Sequence, residues 1–146
     1  MSPTLLYRIS AALLLLFAVG HTFGFLTFEP PSPEGIAVRD AMNSVLFDFK
    51  GSNYSYGGFY KGFGLTVTSY MLFSAFLAWH LGWLASTSPR SVGALAWIFA
   101  AVQLAGLVLS LRYFFLIPSL FSGVLVFALT WAAWLLRGMA PNDGRT

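Results

Sequence analysis

Apolar residues run along this chain in four long blocks, at about 6–28, 63–85, 92–111 and 117–136, separated by shorter polar stretches. A helix rising 1.5 Å per residue needs about 20 residues to cross a hydrocarbon layer of about 30 Å. Each block meets that length, so the pattern predicts four membrane-spanning helices. Ser86-Thr87-Ser88-Pro89-Arg90 is a tight polar turn, and the connection from Arg112 to Leu116 is short and aromatic. Connections this short make neighbouring helices antiparallel. Pro118 falls in a first turn, where its missing N–H costs no hydrogen bond.

The first connection is different. Residues 29–62 form a loop of about 34 residues, long enough to carry structure or function of its own. Pro33 to Phe49 reads as a short helix, with Pro33 and Glu34 in its first turn and an interrupted apolar stripe of Ile36, Met42, Val45, Leu46 and Phe49. Arg39, Asp40, Asn43 and Asp48 are its polar complement. The run Gly51 to Gly64 mixes glycines with Tyr54, Tyr56, Phe59, Tyr60 and Phe63, which suits an interfacial tyrosine belt or the lid of a lipophilic-ligand pocket. Its glycines are too irregularly spaced for a phosphate-binding fingerprint. The expected fold class is an all-α membrane protein, an up-and-down four-helix transmembrane bundle with a short interfacial or capping helix in the first long loop. Residues 1–146 are expected to form a single transmembrane domain.

Composition strengthens this reading. Hydrophobic residues make up 58% of the chain and charged residues 9%, too few charges for an ordinary water-exposed surface. The formal charge of +3 comes from basic residues scattered singly, so nucleic acid is not an expected partner. The chain has no cysteine, which excludes disulfides, thiolate metal ligands and cysteine nucleophiles. Large aromatics follow Val19-Gly20 where a cleavable signal would need small residues, so the first block is expected to stay as a span. Basic residues near helix ends, Arg8, Arg90, Arg137 and Arg145, favour both termini on the cytoplasmic side of a plasma or inner membrane, with the loop 29–62 outside.

Polar residues inside the blocks are the candidates for function. His21 lies deep in the first, flanked by Gly20 and Gly24, a small-xxx-small pair that would let another helix approach. Helical rise sets His80 about 15 Å from it in depth, so no shared metal or haem is expected and no metal site is assigned. Gln103 matches His21 in depth, beside a small-residue face of Ala96, Ala100, Gly106 and Ser110. With Tyr70 and Thr130 these form the expected ligand-binding set: His21, Tyr70, Gln103 and Thr130. Glu34, Arg39, Asp40, Asp48, Tyr56 and Tyr60 are expected around its outer mouth. No carboxylate lies inside a span, so paired-acid catalysis at the membrane centre is excluded.

These residues point to a small integral membrane protein with a binding, scaffolding or accessory-subunit role. Its expected partners are membrane lipid or a lipophilic small molecule, a second copy of itself, or a larger membrane complex; no cofactor is assigned. The alternative is a membrane enzyme acting on a lipophilic small molecule with His21 as acid or base.

Overall fold

Four helices of spanning length account for most of the computed structural model, which describes residues 1–138. They are α1 (Pro3–Thr27), α3 (Tyr56–Thr87), α4 (Gly93–Tyr113) and α5 (Leu116–Arg137). A short helix α2 (Pro33–Ser44) and a two-stranded hairpin of β1 (Leu46–Phe49) and β2 (Ser52–Ser55) fill the first loop. The chain is a multi-pass helical membrane protein with an additional helix between its first two spans. Arg145, one of the basic residues weighed for orientation, lies outside the described residues.

The sequence pattern predicts one helix over 33–49, but α2 ends at Ser44 and its last stretch is a strand. Val45 is already extended, with φ −75° and ψ 118°. Residues 46–49 pair antiparallel with 52–55 in the register Phe49 to Ser52, leaving Lys50 and Gly51 as a two-residue turn. Both have positive φ, 54° and 83°, the geometry of a turn whose twist matches that of paired strands. Apolar residues at Val45, Leu46 and Phe49 satisfy a helical spacing and a strand equally over so short a run. The turn decides between them.

Two compact units emerge: Met1–Phe17 with Leu72 onward, and Ala18–Met71. The first holds a core drawn from all four spanning helices, including Leu6, Tyr7 and Leu14 of α1, Leu81 of α3, Phe99 of α4 and Leu125 and Leu129 of α5. Lipid is as apolar as leucine, so such helices are held by close packing rather than by escape from water. Alanines supply the closeness: Ala75 and Ala78 on α3, Ala96 and Ala100 on α4, and Ala128, Ala132 and Ala133 on α5 are all buried. Ser110 of that α4 face is buried as well, 3.1 Å from the Ser119 hydroxyl of α5, whereas Gly106 is exposed. Arg8 lies over the Trp79 ring at 5.4 Å and Arg137 over the Trp97 ring at 5.1 Å, cation–aromatic pairs suited to a membrane boundary.

The second unit is built on the C-terminal part of α1 and the N-terminal part of α3, with α2 and the hairpin between them in sequence. Helix α3 has 32 residues, about 48 Å of length, so it outruns a hydrocarbon core of about 30 Å by several turns.

Candidate functional site

The distinctive concavity of the second unit follows from how the chain leaves α1. Pro30 and Pro31 cannot continue a helix, and a residue before proline is pushed toward extended backbone, so α1 stops at Thr27. Ser32 then caps α2, its hydroxyl accepting the Gly35 N–H at 3.1 Å, with Pro33 in the first turn. A β-carbon on Gly35 would fall 2.7 Å from the Pro30 ring, so only glycine lets the proline linker fold against the helix it starts.

Glu34 sits in that first turn. Hydrogen bonds from its own backbone N–H and from the Ser32 hydroxyl hold its carboxyl below the ordinary value of 4.5. A lowered folded value means that the carboxylate's contribution is complete above 4.5 and is lost as pH falls through the folded value. Acidification from neutral pH to about pH 3 is therefore expected to speed amide exchange at Gly35 and Ile36 beyond the intrinsic pH effect. Glu34→Gln should abolish that excess. The carboxylate is fully exposed, so the effect belongs to the first turn alone.

Helix α2 lies against the start of α3 because Gly57 is small. A side chain there would collide with the Asn43 amide and the Met42 carbonyl. One face of α2, Gly35, Val38, Arg39, Met42 and Asn43, then looks into a cavity of about 530 Å³. These positions follow the i, i+3, i+4, i+7, i+8 spacing of a helix face. Phe25, Leu26 and Thr27 of α1, the linker Phe28–Pro30, and Gly57, Tyr60 and Lys61 of α3 complete the lining. The lining is mixed, more apolar than polar, with three charged residues in it: Glu29, Arg39 and Lys61. Of the sequence-derived stripe only Met42 lies on this face; Ile36 is exposed, and Val45, Leu46 and Phe49 follow the end of the helix.

One helical turn deeper in α1, His21 faces α3. Its Nε2 lies 3.2 Å from the Gly64 carbonyl, which can only accept, so Nε2 carries a proton and donates it there. The hydroxyls of Thr22 and Thr68 meet at 2.7 Å, with the Ala18 carbonyl 2.8 Å from Thr22. The Thr68 hydroxyl is also 3.2 Å from the Gly64 carbonyl, so the threonine pair can donate in either sense, Thr68 to Thr22 to Ala18 or Thr22 to Thr68 to Gly64, and His21 donates to Gly64 in both. The Phe25 ring packs at a tilt 5.1 Å from the imidazole and meets Tyr60 edge to face at 6.5 Å. A β-carbon on Gly64 would fall 2.7 Å from that ring, whereas one on Gly20 or Gly24 would meet nothing within 4 Å. The glycine that admits a close helix approach is on α3, and the α1 pair expected to do so stays open.

Comparison of the chain with protein-family models, curated proteins and solved structures finds no match.

The chemistry is therefore read from the residues themselves. Arg39 and Tyr60, expected at an outer mouth, line the cavity. Asp40 is paired with Arg39 at 3.1 Å, the Asp48 carboxylate lies 3.5 Å from the Gly51 N–H of the hairpin turn, and Tyr56 packs on Phe47 at 4.9 Å. Each has a local structural partner. Tyr70 shares a unit with His21, is 68% exposed, and is not one of the groups that His21 hydrogen-bonds or stacks on. Gln103 and Thr130 belong to the other unit. Gln103 is half-buried on α4. Thr130 is exposed on the wall of an apolar α5 groove that also includes Gly123, Phe127, Trp131 and Trp134. Among the described residues no three His, Asp or Glu side chains gather closely enough to hold a metal ion.

Sequence reasoning passed over Val38, Met42 and Lys61 as a set. The signal was present in the spacing 35, 38, 39, 42 and 43, hidden by stronger hydrophobes at Val45, Leu46 and Phe49.

Proposed function

We propose that this membrane protein acts by binding, in a scaffolding or accessory role, and that the cavity beneath α2 receives a lipophilic small molecule. The cavity carries the reading: its volume of about 530 Å³ falls in the range of small-molecule sites, and its walls pair an apolar majority with polar and charged groups. His21 fits the same reading as a tie between α1 and α3. Its ring is occupied by the Gly64 carbonyl and covered by Phe25, and Phe25, not His21, lines the cavity. The whole chain then serves as one transmembrane domain in a plasma or inner membrane. Its termini are cytoplasmic and α2 lies outside, an orientation favoured by Arg8, Arg90 and Arg137 near helix ends on the terminal side. A second copy or a larger complex would meet it through its many lipid-facing aromatics.

Native mass spectrometry of the full chain, released from membranes with lipids retained, tests this. The wild type is expected to carry a bound lipophilic molecule. Val38→Trp fills the cavity from a position that is itself exposed, so it should remove the adduct while leaving helix content unchanged. His21→Ala should keep the adduct. An adduct that survives Val38→Trp, or a wild type that carries none, overturns the reading. Loss of the adduct in His21→Ala with the fold intact would move the site to the imidazole.

A further inference from the structure

The charged groups in the cavity wall narrow the ligand class, resting on the reading just given. We infer that the occupant is a membrane phospholipid with a zwitterionic, primary-amine headgroup of the phosphatidylethanolamine type, its ammonium held by Glu29, its phosphate by Lys61, and an acyl chain laid along Phe25, Leu26 and Met42.

Three observations converge. First, the charges balance. Arg39 is answered by Asp40 at 3.1 Å, which leaves Glu29 against Lys61 and no net charge around the cavity. A ligand that is itself neutral overall preserves that balance. Second, the balance is not closed by contact. Glu29, on the linker after α1, and Lys61, on α3, line one cavity, yet neither has an ion-pair partner among the described residues. An uncharged lipophile entering between them would take water from both groups and answer neither, while a purely anionic or cationic one would answer one and leave the other. A headgroup carrying both signs answers both. A carboxylate only accepts hydrogen bonds, so Glu29 is matched by a cation with N–H groups, which ethanolamine has and choline lacks. Third, the position suits a lipid. The walls come from the last turn of a spanning helix and from the end of α3 that outruns the hydrocarbon, which is the level of headgroups in a bilayer. Apolar and charged wall then meet in one cavity as tail and headgroup meet in one molecule.

The test is lipid titration of the detergent-solubilised full chain, read by native mass spectrometry, with phosphatidylethanolamine, phosphatidylglycerol and phosphatidylcholine of matched acyl chains as probes. One charge answered at a lipid headgroup is worth about fivefold in affinity. Wild-type protein should therefore retain phosphatidylethanolamine about fivefold over phosphatidylglycerol, which has the phosphate without the ammonium. It should retain it about threefold or more over phosphatidylcholine, which keeps both charges without the N–H donors. Glu29 and Lys61 are both exposed, so neutralising either leaves the helices intact. Glu29→Gln should erase the preference over phosphatidylglycerol. Lys61→Gln should weaken both lipids about fivefold and leave their ratio unchanged, because both carry the phosphate. Equal retention of the three lipids by the wild type, a preference for phosphatidylglycerol, or a phosphatidylethanolamine preference that survives Glu29→Gln overturns the headgroup assignment while leaving a lipophilic cavity standing. Retention of no probe by the wild type, or phosphatidylethanolamine retained undiminished by Val38→Trp, fails the cavity reading itself.

Discussion

Leu81→Ala is expected to lower stability by about 2 kcal/mol, measured by denaturant titration in mixed micelles. Leu81 is fully buried in the core of the first unit. In a water-soluble protein the change would lose both a transfer contribution and a cavity contribution. In a bilayer the transfer contribution shrinks, because the unfolded helix already leaves its leucines in hydrocarbon, and the loss of packing remains. The lower part of the usual range for leucine truncation follows. Leu104, half-exposed on α4, is the control: Leu104→Ala should change stability by under about 0.5 kcal/mol. If both variants cost the same, helix packing is not what holds this core.

Tyr7→Phe is expected to act in the opposite direction, raising stability by about 1 kcal/mol or more in the same titration. Tyr7 has no exposed surface, and among the described residues its hydroxyl has no hydrogen-bond partner. It is wedged near Gly82, where a β-carbon would lie 3.2 Å from its own. The ring is needed to fill this space and the oxygen is not, so removing the oxygen relieves a desolvation cost without opening a void. Tyr7→Ala separates the two roles, since deleting the ring should cost about 3 kcal/mol. A loss of stability in Tyr7→Phe would mean that the hydroxyl is satisfied after all.

The spans were legible because a bilayer demands long apolar runs, and α1, α4 and α5 begin and end within about three residues of the apolar blocks. The start of α2 was legible too, since Ser32, Pro33 and Glu34 carry cap chemistry that no tertiary contact has to supply. Its end was not, because the Lys50-Gly51 turn lacks the Asn or Asp that usually announces a tight hairpin. The candidate site shows a deeper reason. Counting residues along a span gives depth, but which way a side chain faces depends on rotation about the helix axis. In lipid the packed and exposed faces are both apolar, so hydrophobicity does not report that rotation. Tyr70, expected inside, is 68% exposed for this reason. On α2 and at the start of α3, Arg39 and Tyr60 line the cavity together with Val38, Met42 and Lys61, a grouping that depends on how the two helices meet and not on spacing within either one.

The join between α4 and α5 bears on how the protein is made. Phe114 and Phe115 are all that separates the two helices, and Leu116 and Ile117 beyond them are as exposed as they are. In the proposed orientation this greasy tip must cross the membrane during synthesis, and the charge nearest it is Arg112, costing about 3 kcal/mol at mid-bilayer. The Ser110 and Ser119 hydroxyls already answer each other across the bend. The last two helices are thus suited to enter as one prefolded hairpin, tip first, with no hydrophilic loop to haul through the hydrocarbon.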